Sequence, residues 1–230
     1  MTRAGEGVTS PGGKPKLIIF DFDGVIVDSE TLANETLANH LTGLGYRTSF
    51  DEAYEHYLGR NWKDCMHIFQ ARWGVPAPDG WQAEVKAQIA QRMDEFKPVA
   101  GVTEFIASTV GMARCIASSS PPDWIEGRLR AFGLAEHFTD AIFSAAVHVS
   151  RGKPHPDIYL HAAGAMGVAP GEALVIEDSV TGVTGAVAAG ARVVGLCAAS
   201  HIRGGHGDRL RAAGAHVICH SFEEVQRLLR

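Results

Sequence analysis

Long apolar runs, basic tracts and paired cysteines are all missing from this 230-residue chain, and each absence removes a class of function. No stretch approaches the ~20 apolar residues that a membrane span requires. Lysine and arginine total 21 against 26 aspartates and glutamates, a formal charge of −5, and no basic run is present. Nucleic acid is therefore not expected as a partner. The four cysteines, Cys65, Cys115, Cys197 and Cys219, form no CxxC pair. Cys115 and Cys197 fall in apolar, strand-like runs, so buried free thiols in a reducing, cytoplasmic setting are the expectation. There is no P-loop GxxxxGK[ST] and no GxGxxG, so a nucleotide-type phosphate cradle is not indicated. Residues 1–15 lack the apolar stretch of a secretory signal and read as a flexible, Gly/Pro/Ser/Thr-rich tail. What remains, at 46% hydrophobic and 20% charged residues, is ordinary globular composition, which excludes disordered and fibrous classes.

The most informative feature present is a junction. An apolar run from Lys16 to Phe20 leads directly into Asp21-Phe22-Asp23-Gly24. The run reads as a buried parallel strand. Its end delivers two carboxylates on alternate positions and then a glycine, the usual mark of a sharp turn. Ligands bind at the carboxyl ends of strands in open α/β sheets, although a lone DxD there is often only a pair of solubilising side chains.

Two textures follow along the chain. Over 29–99 the pattern is helical, with helices expected at 30–44, 51–58, 62–73 and 81–96, the last capped by Asp79. From 102 onward helices and strands alternate. Strands are expected at 114–117, 141–144, 173–176, 192–196 and 216–219. The helices between and after them fall at 102–110, 122–132, 156–166, 180–189, 208–213 and 222–229. Such alternation means βαβ units and a parallel sheet. The fold class is therefore α/β: a doubly wound, Rossmann-like core of 16–28 and 100–230, with 29–99 inserted as an all-α domain.

Three further places in the core carry chemistry-bearing residues. The 114–117 strand runs into Ser118-Ser119-Ser120-Pro121-Pro122, where hydroxyls and free backbone N–H groups can converge on an anion, unless Ser120 is only a helix cap. Lys153 stands in an extended Gly-Lys-Pro segment before a helix. The 173–176 strand ends in Glu177-Asp178-Ser179, followed by a helix containing Gly182 and Gly185 and ending near Gly190, small residues that permit close packing on the sheet. Each has an ordinary reading as capping or surface decoration. Together they gather up to four carboxylates at one end of a sheet. Like charges ~4 Å apart repel by roughly 4 kcal/mol at an effective dielectric near 20, so the cluster calls for a divalent ion plus Lys153. Oxygen-only ligands favour Mg2+, and phosphoryl transfer is the chemistry that combines these parts.

The segments Asp21-Phe-Asp-Gly-Val-Ile-Val-Asp28-Ser29, Ile-Ala-Ser118, Gly-Lys153-Pro-His-Pro-Asp157 and Glu177-Asp178-Ser179-Val-Thr-Gly182 resemble, in order and spacing, the four motifs of the haloacid dehalogenase superfamily. The resemblance covers 16–230. The helical insertion is similar to the small α-helical cap of its β-phosphoglucomutase and phosphoglycolate phosphatase group. It implies a five- or six-stranded core and a phosphoric monoester hydrolase working through an aspartyl-phosphate. Asp21 would be the nucleophile, and Asp23 the general acid and base. Ser118 and the Ser119 N–H would hold phosphate, with Lys153 neutralising it. Mg2+ would be held by Asp21, the Asp23 carbonyl, Asp178 and Glu177, the last directly or through water. Arg60, Asn61 and Lys63, after Gly59, would carry substrate contacts from the cap to a small phosphorylated sugar, sugar acid or polyol. A β-phosphoglucomutase-like sugar phosphomutase is the alternative. Ala33 stands where the mutases place a histidine, and Trp62 where they place an arginine, and both departures favour hydrolysis. A phospho-accepting receiver would need its phospho-Asp on the third strand, and an inactive binding scaffold would not need the complete residue set. The 201–206 segment, with His201 and His206, reads as a surface loop, and Trp62, Trp73, Trp81 and Trp124 read as helix-packing residues.

Overall fold

The computed structural model describes residues 13–57 and 62–230. They divide into two compact units: the N-terminal segment through Val27 with Pro98–Arg230, and Asp28–Lys97. The chain leaves the first unit after strand β1 (Leu17–Phe20) and β2 (Val27–Asp28) and returns through β3 (Lys97–Pro98). Between them lie helices α1 (Glu30–Gly43), α2 (Phe50–Tyr57), α3 (Trp62–Trp73) and α4 (Trp81–Gln91). Thereafter helix and strand alternate, with two helices in a row after β5: α5 (Val102–Ser108), β4 (Ala113–Ser118), α6 (Pro122–Ala131), β5 (Ile142–Ser144), α7 (Ala145–His148) and α8 (Asp157–Ala165). The chain closes with β6 (Ala173–Glu177), α9 (Val180–Ala188), β7 (Arg192–Leu196), α10 (His206–Ala212), β8 (Val217–Cys219) and α11 (Phe222–Leu228).

Among the described residues the large sheet has six strands in the order β5-β4-β1-β6-β7-β8, all pairings parallel. The strand that comes first in sequence is thus central in space. From β1 the chain builds outward on one side through β4 and β5, then crosses back to build the other side from β6. That reversal is the topological switch point at which open α/β sheets bind ligands. Register fixes what meets there: Phe20 pairs with Ile116 on one side and Ile176 on the other. The residues following these three positions therefore emerge together.

Alternation along β1 explains why the strand is apolar throughout. On one face Leu17 and Ile19 join Cys115, Val175 and Val193 of the neighbouring strands, covered by Tyr159 of α8, Val183 of α9 and Leu210 of α10. Phe20 turns to the opposite face and meets Phe105 of α5 and Phe138 edge-on at 6.0 and 5.7 Å. Phe105 in turn packs on Phe222 of α11. A strand covered on both faces cannot show the polar–apolar alternation of a half-exposed one. All four cysteines are buried free thiols, and burial pushes those of Cys115 and Cys219 up to about 12.

The Asp28–Lys97 unit has its own core of Leu37, Leu41, Ala53, Tyr57, Phe69, Trp81 and Val85. Phe69 meets Tyr46 edge-on at 4.7 Å and Trp81 at 5.5 Å. The packing roles of Trp73 and Trp81 are as expected; the Trp62 side chain lies outside the described residues. Asp79 does not cap α4. Gly80 occupies that position at φ 78°, a left-handed geometry that costs an aspartate and not a glycine. The helix also stops at Gln91, and a short 3-10 turn at Met93–Glu95 takes the expected last turn.

Helix α2 begins with a capping box. Ser49 Oγ accepts from the Glu52 N–H at 3.2 Å, and Glu52 Oε2 accepts from the Ser49 N–H at 2.7 Å. Arg72 pairs with the other Glu52 oxygen. The Ser49 N–H and hydroxyl, followed by Arg72, hold the Glu52 carboxyl down at about 2. A depressed folded-state value stabilises the protein above the unfolded value of about 4.3 and loses that stabilisation as pH falls toward 2. The melting-temperature gap between the parent and Glu52→Gln is accordingly expected to be widest near pH 6 and to close between pH 4.5 and 2, as read by thermal denaturation across that range.

Candidate active site

At the carboxyl end of β1 the chain turns sharply. The Asp21 N–H still donates to Ile176 O at 3.0 Å, after which Ile26 and Val27 N–H groups fold back onto Phe22 O. Gly24 sits in this turn at φ 80°, and a methyl group there would overlap the Asp178 carboxylate. The position needs glycine for both backbone and space.

A buried lysine organises the neighbouring carboxylates. Lys153 Nζ lies 2.6 Å from Asp21 Oδ1 and 2.7 Å from Glu177 Oε1, with the Tyr159 ring 5.2 Å away. Tyr159 OH donates to the same Glu177 oxygen at 3.0 Å. The other Glu177 oxygen accepts from the Ser179 N–H at 2.6 Å and the Ser179 hydroxyl at 2.9 Å. Ser179 Oγ, not a carboxylate, is the cap of α9, accepting from the Gly182 N–H. Gly182 is required directly above, since a methyl group there would enter the Glu177 carboxylate. Gly185 lies under His155 O, whereas Gly190 ends the helix at φ 80° and has no packing role.

One oxygen each of Asp21, Glu177 and Asp178 comes within 4.8 Å of the others. Burial, with the Glu177 and Asp178 charges, raises the Asp21 pKa well above the carboxylate range against the opposing pull of Lys153. Burial and the Glu177 charge do the same to Asp178. Burial disfavours the Lys153 ammonium, yet Asp21 and Glu177 outweigh it and its pKa rises well above the lysine value. Three carboxylates thus face one ammonium. This all-oxygen set with surplus negative charge suits a hard divalent cation.

The β4 end supplies the facing wall. Ser118, buried, accepts the Ser120 N–H at 3.0 Å, and Ser144 at the end of β5 donates to Ser120 O at 2.6 Å. Ser120 is no helix cap; Pro121 occupies that place. Its hydroxyl instead donates to Asp23 Oδ2 at 2.5 Å, while Trp124 Nε1 donates to Asp23 Oδ1 at 3.3 Å. Trp124 is therefore more than a packing residue. Ser119 is exposed beside them.

The 201–206 segment is not a surface loop at its ends: His201 and His206 are buried against Asp178. Burial, together with Arg209 nearby, lowers the His206 pKa despite the Asp178 carbonyl it bonds. Their sequence signal was weak, because the segment is rich in glycine and shows no apolar period that would mark either ring as buried. Of the expected cap residues, Lys63 is exposed in the first turn of α3, and Gly59, Arg60 and Asn61 lie outside the described residues.

A family model for haloacid dehalogenase-like hydrolases matches residues 15–190, and the chain belongs to that family. A conserved haloacid dehalogenase-like protein of unknown function from Agrobacterium tumefaciens is 36% identical and superposes with a TM-score of 0.85 over 93% of this chain and 97% of its own. Hexitol phosphatase B of Escherichia coli is 32% identical over 181 residues, 76% of this chain and 81% of that protein. The 6-phosphogluconate phosphatase of the same organism is 26% identical over 186 residues, 80% and 83% of the two chains.

Replacing Lys153 with Met would leave Asp21 and Glu177 buried without a cation. Orphaning a buried charge costs about 3–5 kcal/mol. Urea unfolding in EDTA at pH 7 is expected to register a loss of that order. The loss should shrink at lower pH, because Asp21, already raised, then takes up a proton.

Proposed function

We propose that this chain is a Mg2+-dependent phosphatase acting on a small phosphorylated polyol, sugar or sugar acid through an aspartyl-phosphate. The observation that carries the reading is the buried Lys153 bridge between Asp21 and Glu177, with Asp178 in the same carboxylate cluster. Asp21 attacks phosphorus and splits one displacement into two easier ones. Asp23, held at both oxygens by Ser120 and Trp124, protonates the leaving alcohol and then takes a proton from the attacking water. The Ser118 hydroxyl and Ser119 N–H hold phosphate oxygens, and Lys153 offsets charge on Asp21 and on the transferring group.

Asp21, Asp178 and the Asp23 carbonyl would hold Mg2+. Glu177 would contribute from behind, since its oxygens already accept from Lys153, Tyr159 and Ser179. When bound, the ion supplies charge neutralisation between carboxylate and phosphate. The Asp28–Lys97 unit is proposed as the cap, and Arg60, Asn61 and Lys63 as its substrate-contacting residues. The names of the two Escherichia coli relatives, one for hexitol and one for 6-phosphogluconate, support a polyhydroxylated phosphate ester. The buried thiols suit a reducing, cytoplasmic setting.

Phosphate release from p-nitrophenyl phosphate and from hexitol phosphates, with Mg2+ and with EDTA, tests the reading. Turnover is expected only with the metal, and Asp21→Asn is expected to reduce it by about 10^3-fold or more. Retained activity in that variant would overturn the assignment. Conversion of a hexose 1-phosphate to its 6-phosphate without free phosphate would assign a mutase instead.

A further inference from the structure

Between β7 and α10 the chain runs over the surface, and Ser200, Arg203, Gly204 and Gly205 are exposed. Two imidazoles in this stretch nonetheless turn inward, His201 at 3% and His206 at 8% exposure. A buried polar ring is retained where it has a specific partner, and here both rings address the same residue. His206 Nε2 lies 2.6 Å from the Asp178 backbone oxygen, and its Nδ1 lies 3.1 Å from Arg209 Nη2. A guanidinium can only donate. Nδ1 is therefore the acceptor, the proton sits on Nε2, and Nε2–H donates to the Asp178 carbonyl. Both ring nitrogens are committed, so His206 holds Asp178 and is not itself a ligand.

His201 acts on the carboxylate. Its Nε2 is 3.4 Å from Asp178 Oδ2, and its ring stands nearly perpendicular to that of His206, with centroids 6.2 Å apart. The same Oδ2 is the atom that a methyl group at Gly24 would overlap most closely, so only glycine leaves it room. Asp178 is consequently fixed at three points: Gly24 on one side, His201 at the carboxylate and His206 at the carbonyl. Asp178 lies just beyond β6, where the sheet no longer dictates its direction.

We infer that His201 and His206, the latter set by Arg209, are positioning residues that hold the Asp178 carboxylate where it can share a divalent cation with Asp21, and so set the affinity of the site for that cation. The inference rests on the metal-dependent reading above. Groups that orient a ligand from behind commonly govern metal affinity by 10–100-fold.

The test is direct Mn2+ binding, followed by electron paramagnetic resonance of free Mn2+ and by calorimetry, without substrate. Parent, His201→Ala, His201→Gln and His206→Ala are compared, with circular dichroism and melting in EDTA to establish that each is folded. His201→Ala is expected to bind Mn2+ about 10–100-fold more weakly. His201→Gln, which keeps a donor, is expected to recover part of that loss. The KM for the phosphate ester at saturating Mg2+ should stay within about twofold, because neither imidazole is assigned to phosphate or alcohol. Mn2+ affinity within twofold of the parent in both His201→Ala and His206→Ala would overturn the inference while leaving the phosphatase reading intact. Failure of the parent to bind Mn2+ would overturn both.

Discussion

One buried ammonium makes the active end of the sheet possible. Asp21 and Glu177 come from adjacent strands and would confront each other across the switch point with like charge. Lys153 reaches both at hydrogen-bond distance, and Tyr159 and Ser179 complete the coordination of Glu177. Glu177 thus acts as the anchor that aims the lysine at Asp21. A buried pair of this kind is weak evidence for stability, since desolvation offsets much of the attraction. Its better-supported value is geometric: the lysine has one place to be.

The same end of the sheet depends on missing side chains as much as on present ones. Gly24 and Gly182 each leave room for a carboxylate, Asp178 in one case and Glu177 in the other. Close approach of backbone to acid brings charged groups from β1 and β6 into one cluster that packed side chains would otherwise separate. On the opposite wall, Ser120 and Trp124 restrain Asp23. The two aspartates of one short motif are therefore held by different partners, one by a cation and one by neutral donors.

Much of the architecture was legible because doubly covered strands are short apolar runs and the helices between them are punctuated by glycine and proline. The strand over 192–196 coincides with β7, and the helix over 62–73 with α3. The acidic, serine and lysine motifs were legible because each directly follows or precedes such an element. Other features depend on contacts between segments far apart in sequence. The four-residue α7 is too short to show a period. Asp79 looked like a cap because capping residues and glycines share turns, and only the left-handed φ of Gly80 decides between them. Ser120 and Trp124 lie about a hundred residues from the Asp23 they bond. His201 and His206 sit among glycines and a polar turn, and their burial arises from a strand end that no local pattern reveals.

The indole resting on Asp23 gives the protein a built-in optical label. Of the four tryptophans, Trp62, Trp73 and Trp81 all belong to the helical unit, leaving Trp124 alone in the sheet-bearing one. Its N–H points at a carboxylate, so its emission responds to whatever changes the charge or distance of that group. With the other three exchanged for phenylalanine, occupancy of the pocket could be followed in real time without a chromogenic ester or an attached dye.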